Sequence, residues 1–305
     1  MTLMQSIKPT TWLHFDAIDD AVGIEVHFAA EIYQVTHSFK YRAAAAVVQN
    51  IDAGGFLAAS SGNFGQALAC ACQRKKLPCK VIMPLSSAKV KVDAVRSYGA
   101  EVVFVDTTKQ TRESKVLEIS EQYPEFYVAS AYDCEQVISG NATLGMEILA
   151  LDWMPSQVIV PIGGGGLISG IATALESQNN LVPLVGAEPA AADDAYRSLQ
   201  SGVRQENALD PMTLADGART RSVGKRNWQV IKRRVGKIHR VSEDKIIAAM
   251  RLFHRVGVRV EPTGALTLGA LLTEPPTSGP VVAVISGANV DEGLYQQIIC
   301  GEVNS

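Results

Sequence analysis

The chain reads as an α/β protein built on two open, twisted, mostly parallel sheets flanked by helices, and three observations carry that expectation. Apolar, β-branched runs alternate with helix-like stretches over most of the 305 residues. The runs are nearly continuous in apolar character, as strands covered on both faces are. Serine- or glycine-rich turns close several of them and lead into helical stretches, as strand–helix crossovers do.

Taken in order, strands are expected at 56–59, 80–83, 101–105, 157–160, 184–187 and 281–285. Helices are expected at 63–76, 89–98 and 137–151, with another opened by Lys40 behind Ser38 as N-cap. Residues 50–132 form one compact set of strand–helix units, expected to be a smaller, mobile domain. Residues 1–49 and 133–305 are expected to make the larger one, with the N-terminal segment folded back onto it. The stretch 275–280, Pro-Pro-Thr-Ser-Gly-Pro, reads as a loop before the last strand.

Composition removes several classes of function. Hydrophobic residues are 47% and charged residues 19% of the chain, the profile of a soluble globular protein. A net charge of −3 gives no reason to expect nucleic acid, and the basic residues Lys225, Arg226, Lys232, Arg233 and Arg234 read as a solvated helix face. The five cysteines, Cys70, Cys72, Cys79, Cys134 and Cys300, lack metal-finger spacing and read as small buried hydrophobes of a reduced protein. The N-terminal residues carry no signal-peptide pattern, and no apolar stretch reaches membrane-spanning length. A cytoplasmic enzyme without a membrane or nucleic-acid partner is expected.

Four islands carry chemistry. Gly163, Gly164, Gly165 and Gly166 lie between a strand and a helix, where glycine lets the backbone aim several N–H groups inward with a helix dipole behind them. Such a nest suits a phosphate; a dinucleotide fingerprint is the rival, but four consecutive glycines do not fit its spacing. Lys40 sits beside Phe39 and an alanine-rich helix, so burial would depress its amine and make it a nucleophile toward an aldehyde. Ser60, Ser61, Gly62 and Asn63 end one strand and start a helix, where hydroxyls, an amide and helix N–H groups can meet a carboxylate and a phenolic oxygen. Ser286, at the end of the last strand, can meet a pyridine nitrogen without contributing a full charge. Amine, polar groups, phosphate cradle and ring-nitrogen partner together are what pyridoxal 5'-phosphate chemistry on an amino acid requires.

Over nearly its whole length the chain resembles the fold-type II pyridoxal-phosphate enzymes (the tryptophan synthase β-like fold), in their serine/threonine dehydratase and serine racemase branch. The resemblance implies that Lys40, in Ser-Phe-Lys, is the Schiff-base lysine and that Phe39 lines the cofactor. It implies that Ser61 is a catalytic serine on the opposite face, with Ser60, Ser61, Gly62 and Asn63 binding substrate. Asn63 would touch the phenolic oxygen, Gly163 to Gly166 and Leu167 the phosphate, and Ser286 the pyridine nitrogen. Within Glu188-Pro-Ala-Ala-Ala192-Asp-Asp194, the residues Glu188, Ala192 and Asp194 would hold magnesium or calcium, hard ions suited to oxygen ligands. His37, Phe64, Ala288 and Asn141 and the stretch 130–133 depart from the branch's usual residues. The implied activity is dehydration of serine, threonine or 3-hydroxyaspartate to a 2-oxo acid and ammonia by a homodimeric enzyme. Racemisation and cysteine synthase-like β-replacement are the alternatives.

Overall fold

A computed structural model of the chain describes residues 2–60, 62–208 and 211–302. Its strands, in chain order, are β1 (Thr11–His14), β2 (Val26–Ala30), β3 (Gly55–Ala59), β4 (Cys79–Pro84) and β5 (Glu101–Val105). Then follow β6 (Phe126–Val128), β7 (Val158–Pro161), β8 (Leu184–Pro189), β9 (Val235–Val241) and β10 (Val281–Ile285). The α-helices are α1 (Asp16–Val22), α2 (Lys40–Asn50), α3 (Asn63–Lys75), α4 (Lys89–Ser97), α5 (Arg112–Gln122) and α6 (Glu135–Leu149). The second half adds α7 (Gly166–Ser177), α8 (Asp194–Ser201), α9 (Lys225–Arg234), α10 (Glu243–Arg255), α11 (Leu266–Leu271) and α12 (Glu292–Cys300).

These strands make two sheets, of order β1-β2-β10-β7-β8-β9 and β5-β4-β3-β6. Every neighbouring pair is parallel except β1 with β2. The expected fold class is therefore present. The N-terminal segment does return to the larger sheet, where β2 pairs β10 and β1 covers the edge.

Both faces of the sheets are covered, and the strand period shows it. In β10, Val281, Ala283 and Ile285 pack with Phe28, Phe253 and Leu266, whereas Val282 and Val284 pack with Leu144, Ile171 and Val160 on the other side. In β4, Val81 and Met83 face Leu68 and Phe56 while Ile82 faces Val116 and Ile119. Helix α2 is buried on all sides from Tyr41 to Val48, as a helix apolar around its circumference must be. It lies tight against α6: a Cβ at Gly140 would be 2.5 Å from the carbonyl oxygen of Arg42.

Several expectations need correction. Ser38 does not cap α2; Phe39 holds the N-cap position without a side-chain cap bond. The backbone of Ser38 is committed to a bridge with Gly287, and its Oγ is buried without a partner among the described residues. Cys70, Cys72 and Cys79 are buried, but Cys300 is exposed at the end of α12 and Cys134 is half-buried before α6. Strands β1, β2, β6 and β9 were not anticipated. Of these β1, β6 and β9 are edge strands, and β9 interleaves Lys237, His239 and Arg240 among its apolar residues. Helices α3 and α4 each end one residue early, and α6 spans 135–149 instead of 137–151. Lys225, Arg226, Lys232 and Arg233 of α9 are exposed, Arg233 pairing with Glu176, opposite the buried Asn227, Trp228 and Ile231, but Arg234 is half-buried and donates to Asn180 O at 3.0 Å. No described helix is long and apolar enough to cross a membrane.

Candidate active site

The site forms where β3, β7 and β10 end and turns lead onward into the body of the protein, the edge at which open parallel sheets present loops and helix N-termini to ligands. Lys40 is the first residue of α2, and its Nζ donates to the carbonyl of Ala131 at 2.8 Å. The rings of Phe39 and Phe64 lie 4.9 Å and 5.9 Å from that nitrogen. Burial pulls the amine down to about 8, against the opposing influence of the Glu261 charge. An amine at that level is partly uncharged near neutral pH and can act as nucleophile or base.

The lysine segment is stitched to the end of β10. Phe39 N–H donates to Ser286 O at 3.0 Å, and Ala288 N–H donates to His37 O at 3.0 Å. His37, standing where the related pattern has glycine, takes a φ of 57°. A histidine thus holds the left-handed backbone that ordinarily favours glycine. Ser286 itself is buried, and its Oγ has no partner among the described residues. Buried hydroxyls are normally satisfied, so a free one facing a site is ready for a ligand.

The glycine loop follows β7 and Ile162. Gly165 has a φ of +85°, and a Cβ at Gly164 would meet the Tyr132 ring at 2.1 Å. No side chain larger than hydrogen fits that position. The Gly164 carbonyl accepts from Asn227 Nδ2 at 2.7 Å and Gly224 N–H at 3.0 Å, and the same Nδ2 reaches Tyr132 O at 2.8 Å. Leu167 is buried in the first turn of α7.

Asn63 opens α3, its Nδ2 donating to Glu261 Oε1 at 2.7 Å and its Oδ1 accepting from Asn289 Nδ2 at 2.8 Å. Ser60 turns inward to its own helix, its Oγ accepting from Gly65 N–H at 3.0 Å and Gly62 N–H at 3.4 Å. Both bonds are accepted, so the Ser60 O–H still has its proton to donate. Ser61 lies outside the described residues. A cleft of about 150 Å³ opens beside Gly62 and Asn63, bounded across from them by Ala288 and Asn289.

Lys40, Phe39, Asn63, the glycine loop and Ser286 are thus linked by one web of contacts. These residues fit pyridoxal 5'-phosphate on physical grounds: a depressed amine, a glycine loop packed too closely on Tyr132 and Ala218 for side chains, a helix N-terminus and an unpartnered hydroxyl.

The acidic residues form a separate cluster at the end of β8. Glu188, 1% exposed, accepts from Tyr196 N–H at 2.6 Å and Ala195 N–H at 3.2 Å. Asp194 accepts from Asn207 Nδ2 and Val223 N–H, each at 2.7 Å. Burial pushes both carboxyls up, Asp194 to about 6 and Glu188 well above its usual range. Asp193 is paired with Arg197 and Arg240, but neither buried carboxylate has an ion-pair partner among the described residues. Each oxygen keeps a second lone pair, so an all-oxygen donor set awaiting a compensating charge suits a divalent ion.

Sequence reading missed Glu261 and Asn227 as parts of the site, and named Tyr132 only within the substrate-side stretch 130–133. Glu261 had one visible signal, a single carboxylate within the apolar run 258–272, and it is 3% exposed. Asn227 lies in a polar-looking stretch and shows its importance only through its partners.

The family described as pyridoxal-phosphate dependent enzyme matches residues 3–287. The chain is 35% identical over 303 residues to a serine racemase of Dictyostelium discoideum, covering 96% of this chain and 93% of that one. It is 34% identical over 291 residues to an L-threo-3-hydroxyaspartate ammonia-lyase of Pseudomonas sp., covering 93% and 91% respectively. Its structure is similar to that of the T.th. threonine deaminase, with a TM-score of 0.88, 36% identity and coverage of 95% and 97%.

Proposed function

Since the chain belongs to the pyridoxal-phosphate dependent enzyme family, we propose that it is an ammonia-lyase converting a β-hydroxy amino acid (serine, threonine or 3-hydroxyaspartate) to a 2-oxo acid and ammonia. The single observation that carries the chemistry is the buried Lys40 amine, its Nζ held 2.8 Å from Ala131 O between Phe39 and Phe64 and pulled down by burial to about 8. When bound, pyridoxal 5'-phosphate supplies the electron sink for charge developing at the α-carbon. Lys40 Nζ takes the α-proton, for which it must be uncharged. The N–H groups of residues 163–167 hold the phosphate, and Asn63 Nδ2 donates to the ring oxygen. Ser286 Oγ, a neutral group, faces the ring nitrogen. A hydroxyl stabilises less negative charge than an ionic partner would, which favours prompt loss of the β-hydroxyl over a long-lived carbanion. The ammonia-lyase among its relatives supports the same outcome.

Racemisation is the second reading, favoured by similarity to the Dictyostelium discoideum serine racemase. It requires a second acid on the opposite face, the role assigned to Ser61. Purified holoenzyme offered both enantiomers of each β-hydroxy amino acid, with 2-oxo acid and inverted enantiomer assayed together, tests the choice. Ser61→Ala should cut any racemisation by about a hundredfold or more while elimination from the L-substrate stays within several-fold of wild type. If both activities survive, the role given to Ser61 is wrong.

Magnesium or calcium at Glu188, Ala192 and Asp194 completes the reading. Asp194 Oδ2 holds Val223 N–H, and the next residue, Gly224, holds the carbonyl of Gly164. An ion here would therefore stiffen the loop behind the phosphate cradle. Removing it with a chelator should lower the thermal midpoint and the activity together, and adding calcium or magnesium should restore both; saturation at a hundred times Kd is worth about 2.7 kcal/mol. An unchanged midpoint would remove the ion from the reading. Residues 50–132 act as a mobile smaller domain over the larger, cofactor-binding one, in a homodimer of the cytoplasm. The buried free thiols of Cys70, Cys72 and Cys79 support a reducing compartment.

A further inference from the structure

Glu261 belongs to none of the four sequence islands, yet it touches residues of two of them. It follows Val260 in an extended segment, and its N–H donates to Gly287 O at 3.1 Å. Its Oε1 accepts from Asn63 Nδ2 at 2.7 Å. A Cβ added at Gly287 would lie 2.5 Å from that same oxygen, so the carboxyl lies flush against the backbone next to Ser286. The Asn63 amide is pinned from its other end as well, because Asn289 Nδ2 donates to Asn63 Oδ1 and to Thr36 O, both at 2.8 Å. An amide nitrogen carries two hydrogens. Glu261 takes one, and one remains for a ligand.

We infer that Glu261 is a positioning residue of the coenzyme pocket: its carboxyl orients the Asn63 amide and, by gaining or losing a proton, sets the charge balance around Lys40 Nζ. This rests on the coenzyme chemistry proposed above. The ionic groups that bear on the carboxyl are Asp216 from the turn 216–218, Lys91 from α4 and Lys40 from α2. Lys91 and Asp216 pair with each other across the cleft, so neither is free to neutralise Glu261 outright. Burial, with the Asp216 charge adding to it, raises the carboxyl to about 8 against the lowering influence of Asn63 and the two lysines. Below that pH the carboxyl is neutral and leaves the Lys40 nitrogen without a buried counter-charge. Above it the carboxylate favours the protonated form of that nitrogen.

Two substitutions separate the parts of this role. Glu261→Gln keeps an acceptor for Asn63 and removes the titration; Glu261→Ala removes both. The readouts are coenzyme affinity and the pH midpoint of the visible coenzyme absorbance of the holoenzyme. In E261Q the affinity should stay within about threefold of wild type while the midpoint falls by about half a unit or more, because a buried anion has been withdrawn. E261A should bind coenzyme about tenfold more weakly, the loss expected when a buried amide donor is left without its acceptor. A merely structural Glu261 would lower the melting temperature and leave the midpoint of E261Q where it was. The inference is overturned if E261Q titrates as wild type does, or if E261A keeps wild-type affinity. A wild-type protein that takes up no pyridoxal phosphate would overturn the coenzyme chemistry itself, so the two failures are told apart by the wild-type spectrum.

Discussion

Lys40→Ala should reduce turnover by about two to four orders of magnitude, the range expected when a general base is removed, and should abolish the covalent link to the coenzyme. The amine is the first residue of α2 with its nitrogen held by Ala131 O, between Phe39 and Phe64. None of these neighbours can replace it as a base. Borohydride treatment should fix pyridoxal phosphate at position 40 in the wild type and nowhere in the variant. The variant should fold, because the deleted group is one whose charge burial already disfavours. In the wild type, the rate of α-proton removal should rise with pH through about 8, since only the uncharged amine takes a proton and that is the level to which burial pulls it. A variant that still holds coenzyme covalently, or that retains wild-type turnover, would take the central role away from Lys40.

Arg42→Ala should produce the largest loss of stability, about 3–5 kcal/mol, as expected when one partner of a buried ion pair is removed. Arg42 and Glu31 are both fully buried. The guanidinium Nε reaches Glu31 Oε2 at 2.7 Å. Nη1 reaches Glu147 at 2.7 Å and Thr143 at 2.9 Å, and Nη2 reaches Thr10 at 2.8 Å and Glu31 Oε1 at 2.9 Å. Five N–H donors therefore meet five acceptors drawn from the segment before β1, the turn after β2, and α6. Truncation leaves both Glu31 oxygens buried without the guanidinium that satisfied them. The double variant Arg42→Met with Glu31→Met should recover a large part of the loss, because the unsatisfied carboxyl is gone. Denaturant melting of the holoenzymes measures both. Arg42 lies two residues after Lys40, so R42A should also loosen the coenzyme; equal midpoints for R42A and wild type would show the network to be energetically idle.

Much of this molecule is legible in its residues because parallel strands announce themselves locally. The runs at 101–105 and 281–285 are apolar throughout or nearly so, and both became strands with the expected ends. The glycine run between 163 and 166 likewise has few uses other than a backbone that must turn sharply and approach another group closely. The edge strands β1, β6 and β9 were not legible, since many of their residues are only partly buried or face water, and β9 carries the polarity of a loop. Ser38 looked like a helix cap because serine often is one. Its role was decided by a partner, Gly287, far along the chain at the end of β10.

The same division runs through the site. Residue type alone pointed to a lysine nucleophile, a glycine turn suited to a phosphate and an uncharged hydroxyl suited to a ring nitrogen, since each expectation depends on the chemistry of a few adjacent residues. What Glu261, Asn227, Tyr132 and Arg42 do was decided only by folding. Glu261 meets Asn63 across 198 positions and Arg42 meets Glu147 across 105. A buried charge or amide has no fixed meaning until its partners are known, because its protonation and its free hydrogens depend on groups that the chain brings beside it only in three dimensions.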